Sequence, residues 1–119
     1  MGTFRVSIEV GASEHEPFER VEVLVDTGAT YTVLPRTLLQ ELGVVPHTRA
    51  PFVVADGREI ELEIGRAWIR IDGRQELTLV VFGDAALLGA FTLEALRLAA
   101  DPVGQRLVPV PALLMRLAA

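Results

Sequence analysis

The chain has 119 residues, half of them apolar, and a net charge of −5 from 11 basic and 16 acidic residues. This length supports one modest hydrophobic core, so the sequence predicts a single domain over residues 1–119. The acidic balance without a basic run argues against nucleic acid as a partner, and no uncharged stretch is long enough to span a membrane.

The sequence contains no cysteine and only two histidines, His15 and His47. Disulfides and thiolate metal sites are therefore excluded, and the histidines are not at metal-ligand spacing. We expect both at the surface, and we predict no metal and no cofactor. The N-terminus lacks the basic and then apolar pattern of a signal peptide, so the expected location is the cytoplasm.

The apolar share exceeds that of typical globular chains once the ten glycines are counted. A buried interface with a partner would explain this excess. A genome that favours Ala, Leu and Val would explain it equally well, and composition leaves both explanations open.

The N-terminal segment predicts two strands. Residues 4–10 alternate between apolar and polar types, which is the period of a half-buried strand. Polar residues 11–17 predict a turn, and a second strand follows over residues 18–25. That strand ends in wholly apolar residues, as expected of a strand that enters a core, and it delivers Asp26 into the turn Asp26-Thr27-Gly28.

The middle of the chain predicts a helix and two hairpins. Pro35 and Gly43 bracket a short helical stretch, since proline favours the first helical position and glycine the position after the last. Residues 52–64 predict a hairpin about Asp56-Gly57, a dipeptide that favours a primed turn. We expect Gly65 to break its second arm, and residues 67–82 predict another hairpin about Asp72-Gly73.

The C-terminal segment predicts an apolar run that stops at Gly89, a helix over residues 92–98, and a last strand over residues 106–108. Pro109 and Pro111 cannot donate ladder hydrogen bonds, so this tail is expected to be an edge, a loop or an interface arm. The predicted fold class is all-β, mainly antiparallel, with two short helices.

The residues around Asp26 suggest chemistry. A carboxylate that leaves an apolar strand, followed by a hydroxyl and a glycine, suits a site in which nearby donors orient the acid. Gly28 permits a tight loop because it has no Cβ. Thr27 could brace the loop from within or across an interface, and Ala29 leaves room for a close approach. Taken alone, the tripeptide is weak evidence, because aspartate and glycine are ordinary turn residues.

Three features occur in a defined order along the chain. Asp26-Thr27-Gly28-Ala29 follows an apolar strand, the Asp56-Gly57 hairpin lies thirty residues further on, and Leu87-Leu88-Gly89 precedes a helix. From about Phe4 to Val108 this order resembles the retroviral-type, retropepsin-like single-domain aspartic proteases. The resemblance implies a retropepsin-like acid protease fold, in which a closed, barrel-like half forms a dimer.

The resemblance also implies residue roles. Asp26 would be the catalytic acid, Thr27 the loop-bracing hydroxyl and Gly28 the residue that shapes the loop. Leu88 and Gly89 would support the loop from below. The substrate would be contacted by Ala29 and by a flap tip made of Ala55, Asp56, Gly57 and Arg58.

The sequence departs from the family pattern in two places. Viral members usually carry a charged residue soon after the second glycine, whereas Ala90 and Phe91 follow Gly89 here. A salt bridge that some relatives use at the dimer base is therefore in question. The flap tip is Asp-Gly-Arg rather than glycine-rich, which would make it stiffer or selective for charge.

The chemistry of this family needs two carboxylates, and the sequence contains one such loop. Two acids about 3 Å apart cannot both ionise, so one keeps a proton while the other activates a water. A two-fold homodimer supplies Asp26 twice, whereas neither Asp84 nor Asp101 is followed by a hydroxyl residue and a glycine as Asp26 is. The first hypothesis is therefore a homodimeric aspartic endopeptidase that binds a peptide or protein substrate as an added strand.

Two alternatives remain open at the level of sequence. One is a retropepsin-like dimer that binds extended peptides or partner proteins without cutting them, and the other is a plain β domain with a coincidental turn. Other conspicuous residues are expected to be structural: Trp68 in the core, and Glu59, Glu61 and Glu63 on a solvated strand face. Arg58 stays open as a contact to substrate or to a second flap.

Overall fold

The structure is a computed structural model that describes residues 3–112. In this part of the chain it contains nine strands and two short helices. In chain order these are β1 (Phe4–Gly11), β2 (Glu19–Val25), β3 (Thr32–Pro35), α1 (Arg36–Leu42), β4 (Pro46–Val53), β5 (Glu59–Ile71), β6 (Arg74–Gly83), β7 (Leu87–Leu88), α2 (Ala90–Leu96), β8 (Leu98–Asp101) and β9 (Arg106–Pro109).

Seven strands form one sheet in the order β1-β2-β7-β3-β6-β5-β4. Because β1 also pairs with β5, six of these strands close into a ring, and β4 extends from its rim. The β2–β7 and β3–β6 pairs are parallel, and the others are antiparallel. The predicted fold class, mainly antiparallel β with two short helices, is confirmed.

The hydrophobic core fills the inside of this ring. In β1 the buried side chains Phe4, Ile8 and Val10 alternate with exposed or half-buried ones, which is the two-residue period predicted from the sequence. The interior is completed by fully buried side chains from the other strands and from both helices, among them Val23, Leu34, Leu39, Ile69, Val80, Phe82, Leu88 and Leu96.

The expectation that Gly65 breaks a strand is wrong. β5 runs without interruption through this residue, which pairs with Pro46 of β4 and Val80 of β6. A Cβ at Gly65 would lie 3.0 Å from a ring carbon of Phe82 and 3.1 Å from the carbonyl oxygen of Val45. The glycine therefore allows close packing inside a strand and is not a stop signal.

The expectation of a primed turn at Asp56-Gly57 is also wrong. Gly57 has a positive φ of 88°, but Asp56 does not, and a type I′ turn needs both. The Gly57 N–H donates to the Val54 carbonyl, so the loop is an ordinary turn closed by a left-handed glycine. The primed geometry occurs instead at Asp72-Gly73, where φ is 50° and 78°.

The helix boundaries are close to those expected. α1 ends at a left-handed Gly43, and Pro35 lies just before the first helical residue instead of on it. α2 begins and ends two residues earlier than the sequence suggested. Its end is fixed by Arg97, which has a left-handed φ of 57°, and by Arg74, whose guanidinium donates to the Leu96 and Arg97 carbonyls.

The C-terminal strand β9 pairs only with β8, in a separate two-stranded sheet, so it is an edge as expected. Pro109 is its last residue. His15, His47, Glu59 and Glu61 are exposed. Glu63 is half-buried and forms an ion pair with Arg36, and Trp68 is half-buried rather than fully in the core.

Replacing Gly65 by Ala is expected to lower the free energy of unfolding by about 1–3 kcal/mol, because the new methyl group has to displace the Phe82 ring or the Val45 backbone. Urea unfolding followed by tryptophan fluorescence measures this change. The exposed neighbour Arg66, changed to Ala, is the matched control and should shift stability by less than about 0.5 kcal/mol. Equal stability of the two variants would contradict this explanation of Gly65.

Candidate active site

Asp26 directly follows β2 and is held against β7. Its backbone N–H donates to the Leu88 carbonyl at 3.0 Å, and Leu24 donates to Ala86 at 2.9 Å. The parallel pairing of β2 with β7 therefore continues up to the residue that carries the carboxylate. Leu88, which was expected to support the loop, lies in this contact.

The chain turns sharply after Asp26. The Ala29 N–H donates to the Asp26 carbonyl at 3.1 Å, and the Gly28 N–H donates to the Asp26 carboxylate oxygen Oδ1, also at 3.1 Å. One backbone donor thus orients the acid. Asp26 is half-buried, whereas Thr27 and Gly28 are exposed, so the turn presents its carboxylate at the surface.

Helix α2 holds the far end of the same loop. The first N–H groups of a helix have no partner within the helix. Here the N–H groups of Ala90 and Phe91 donate to the carbonyls of Ala29 and Thr30, at 2.8 Å and 3.0 Å. The loop is therefore fixed by β7 at its start and by α2 at its end.

Gly89 lies between these two supports and has no space for a side chain. A Cβ there would come within 2.5 Å of the Tyr31 carbonyl carbon and oxygen and 2.9 Å from the Ala29 carbonyl oxygen. This close contact gives a physical reason for the glycine of the Leu-Leu-Gly sequence. The structure thus brings together Asp26, Gly28 and Ala29 with Leu88 and Gly89.

Three buried threonines lie next to Gly89, and the sequence reasoning missed them. The Thr32 hydroxyl accepts a hydrogen bond from the Gly89 N–H at 3.0 Å and lies 2.6 Å from the Thr92 hydroxyl, which is 3.1 Å from that of Thr78. These residues are 60 and 14 positions apart in the sequence. No local pattern marks them as a group.

The Thr27 hydroxyl makes no hydrogen bond to any part of the chain within residues 3–112. Bracing of the loop from within the same chain, one of the two roles considered for it, is therefore not seen. A contact across an interface stays a prediction.

The loop separates two clefts. One, of about 670 Å³, lies between the loop, α2 and β8, and Asp26 and Thr27 contribute to it. The other, of about 610 Å³, lies between the loop and the hairpin of β4 and β5. Gly28 contributes to both.

Only part of the hairpin tip lines the second cleft. Val54 and Ala55 line it together with Gly28 and Ala29. The remaining residues proposed for a flap tip, Asp56, Gly57 and Arg58, are exposed beyond it. Of the four expected flap residues, only Ala55 lines the same cleft as the loop, and it is exposed as well.

Arg58 pairs within the tip itself. Its Nε donates to the Asp56 carboxylate at 2.7 Å, and its backbone N–H donates to the other carboxylate oxygen at 3.0 Å. The side-chain bond, followed by the backbone bond, holds the pKa of Asp56 below its ordinary value. The pairing is therefore fully present above about pH 4 and is lost only as the pH falls through the lowered pKa.

Tyr31 connects the loop to both neighbouring elements. Its ring packs edge-on against Phe52 of β4 and against Phe91 of α2, with centroid distances of 5.5 Å in each case. Edge-to-face contacts of this kind add about 0.5–1.5 kcal/mol beyond the apolar area they bury. Phe91, noted in the sequence for its lack of charge, therefore packs against the loop.

Within residues 3–112 there is no group of three His, Cys, Asp or Glu residues that could hold a metal ion. In the same part of the chain no helix is long and apolar enough to cross a membrane.

Comparisons with known proteins agree with this geometry. The family described as "gag-polyprotein putative aspartyl protease" matches residues 18–95, which include the Asp26 loop, the hairpin and Gly89. Eighty-six chains of solved structures also match. One is the EIAV protease complexed with the inhibitor HBY-793, with a TM-score of 0.55 and 22% identity over 87% of this chain and 90% of that chain. No curated protein matches.

Changing Gly89 to Ala is expected to destabilise the protein by more than about 2 kcal/mol, because the new methyl group would overlap the rigid backbone at Tyr31. Gly28 to Ala is the matched comparison. Its Cβ would lie 3.3 Å from Asp26 Oδ1, which belongs to a side chain that can move. We expect Gly28→Ala to change stability by less than about 1 kcal/mol. The urea midpoints of the two variants measure this difference in stability. A Gly89 variant as stable as the Gly28 variant would contradict this explanation of Gly89.

Proposed function

The chain belongs to the gag-polyprotein aspartyl protease family, and from this membership we propose that it is a homodimeric aspartic endopeptidase. In this proposal, a water held between Asp26 of each subunit hydrolyses a peptide bond. The observation that carries the proposal is the surface turn Asp26-Thr27-Gly28, whose carboxylate is oriented by a backbone N–H and whose two ends are held by β7 and α2. The retropepsin-like fold supports the same assignment.

The reaction follows from two carboxylates that share one proton. The ionised Asp26 takes a proton from the water as its oxygen attacks the peptide carbonyl carbon, while the protonated Asp26 donates a hydrogen bond to the carbonyl oxygen. The resulting tetrahedral intermediate collapses when the Asp26 that took the proton from the water gives it to the peptide nitrogen and the C–N bond breaks, which returns the pair to its state with one shared proton. No covalent bond to the enzyme forms. The pair titrates as a unit, so its pH profile belongs to both subunits together.

The reaction needs a second carboxylate, and the other acids of the same chain are poor candidates for that role. Asp101 already accepts hydrogen bonds from the N–H groups of Val103 and Gly104 and pairs with Arg106. These contacts, with the Gly104 bond first, lower the pKa of Asp101. Asp84 is exposed in the segment between β6 and β7. Glu94 lines the first cleft with Asp26, but it is exposed on α2 and is not followed by a hydroxyl residue and a glycine.

A second copy of the chain fits the first cleft. Most of its lining is apolar, from α2, β8 and neighbouring residues, and includes Val25, Ala90, Leu93, Leu98, Ala99, Ala100, Pro102 and Val110. A two-fold axis beside Asp26 would bury this surface and bring the two turns together. It would also offer the Thr27 hydroxyl a partner in the other subunit. An interface here accounts for the apolar excess of the sequence.

The substrate belongs in the second cleft, as an extended strand between the loop and the hairpin. Its lining contains no charged residue and includes Ala29, Tyr31, Val33, Phe52 and Leu87. Burying a charged side chain there without a partner is unfavourable. We therefore assign to the enzyme a preference for apolar side chains next to the scissile bond, with Ala55 at the inner end of the flap.

Asp26→Asn is expected to reduce peptide cleavage at mildly acidic pH by at least about 10²-fold, because the pair then lacks its base. Glu94→Gln is the matched control, since it removes the other acid of the same cleft. It should leave kcat within about two-fold of wild type, as expected of a residue outside the reacting pair. Loss of activity in Glu94→Gln, with the fraction of dimer unchanged by sedimentation, would instead identify an acid pair within one chain.

An experiment with mixed subunits distinguishes catalysis by a dimer from catalysis by independent chains. In an equimolar, fully exchanged mixture of wild type and Asp26→Asn, about one quarter of the dimers carry two intact acids. The mixture should therefore keep about a quarter of the activity of wild type at equal total concentration, whereas independent chains would keep about half. A value of one half would contradict the homodimer. A wild type that binds extended peptides without cutting them would favour the silent binding protein.

A series of peptides that differ at one residue next to the scissile bond tests the cleft. Replacing Leu by Lys or Glu at that residue should lower kcat/KM by at least about ten-fold, because the charge would be buried without a partner. Replacing Leu by Met, which is similar in volume, is the control and should change kcat/KM by less than about three-fold. Equal cleavage of the charged and apolar peptides would contradict the assignment.

A further inference from the structure

We propose that Thr92 is a positioning residue for the Asp26 carboxylate, acting through the hydroxyl of Thr32 and the N–H of Gly89. The inference rests on the proposed protease function and deepens it. It concerns a buried group that the reaction itself does not use.

The three threonine hydroxyls form one continuous chain of hydrogen bonds. Thr32 and Thr92 are fully buried, and Thr78 is 7% exposed. Their oxygens are separated by 2.6 Å and 3.1 Å, and Thr32 also accepts from the Gly89 N–H at 3.0 Å. The chain thus runs from β6, through α2, to β3 and the residue between β7 and α2.

The direction of these bonds follows from counting protons. Each hydroxyl has one proton to donate. If Thr32 donates to Thr92 and Thr92 donates to Thr78, the remaining proton belongs to Thr78, the least buried of the three. The reverse direction would leave the proton of fully buried Thr32 without an acceptor, which is costly. The hydroxyl of Thr92 is therefore both the acceptor for Thr32 and the donor to Thr78.

Packing alone does not require a hydroxyl at position 92. Valine has almost the same shape, and Leu93 and Leu96 already bury the apolar side of α2. A buried hydroxyl is favourable only when its hydrogen bonds are made, and those bonds depend on direction and distance. The network therefore fixes the position of the Gly89 N–H, which apolar contacts cannot do.

Gly89 connects the threonine network to Asp26. Its predecessor Leu88 accepts the hydrogen bond of the Asp26 N–H, and its successor Ala90 donates to the carbonyl of Ala29. A displacement of Gly89 would move both ends of the loop. Two carboxylates that share a proton and a water tolerate little misplacement, since a shift of about 1 Å can cost about 10²-fold in rate.

The test compares Thr92→Val, which removes the hydroxyl at constant shape, with Thr92→Ser, which keeps it. In Thr92→Val we expect kcat to fall at least about ten-fold while KM stays within about two-fold, because the substrate cleft is unchanged. Thr92→Ser should recover kcat to within about three-fold of wild type. Thr37→Val, an exposed threonine of α1, is the control for loss of a hydroxyl elsewhere.

Two further measurements exclude a merely structural effect. The first is the pH profile of kcat/KM, whose two limbs should move toward each other in Thr92→Val because the carboxylates interact more weakly when they are further apart. The second is amide hydrogen exchange, which should be at least about ten-fold faster at Gly89 and Asp26 in Thr92→Val, but not in Thr92→Ser, because one supporting hydrogen bond is lost.

Several results would overturn the proposal. They are an unchanged kcat in Thr92→Val, a loss that Thr92→Ser does not repair, or a loss that only follows the fraction of dimer measured by sedimentation. A wild type that cleaves no peptide would overturn the protease function instead. Hydrogen exchange would then test the support of Asp26 by the threonine network without reference to activity. Unchanged exchange at Asp26 in Thr92→Val would contradict that support.

Discussion

The first two N–H groups of α2 donate to the carbonyls of Ala29 and Thr30, and the geometry of the whole site depends on this contact. A helix start has donors without partners, and a tight loop has carbonyls without partners, so each satisfies the other. The contact is possible only because Gly89 brings the two backbones together without a side chain. An exposed turn thereby gains the rigidity of a helix and a strand.

This arrangement explains how a small domain presents a charged group at its surface in a fixed orientation. The carboxylate of Asp26 accepts one backbone hydrogen bond and stays half-buried, so it keeps access to solvent. The fixed parts lie behind it, in β7, α2 and the threonine network. Catalytic groups need such support, because orientation contributes to rate only when the bound geometry is held.

The sequence predicted those features that depend on local pattern. Alternation located β1 and β2, and the segment after Val25 was correctly interpreted as a turn that carries the acid. Gly65 was misinterpreted because a glycine in a strand can indicate either a break or a close approach, and only the Phe82 ring decides between them. The turn at Asp56 differs from the one at Asp72 for a similar reason: the same dipeptide fits both loop lengths. The threonine network was missed because its members meet only through the fold.

Helix α2 takes part in both halves of the proposed function. Its backbone holds the Asp26 loop, and its side chains Ala90 and Leu93 line the cleft assigned to a second subunit. Packing of a partner against that cleft would therefore restrict the same element that positions the carboxylate. In the proposed dimer, association of the subunits and alignment of the acid pair are therefore linked. The free energy gained when the partner packs against the side chains of α2 also restricts the movement of the backbone that holds the Asp26 loop. A chain without its partner would lack both the second acid and this restraint.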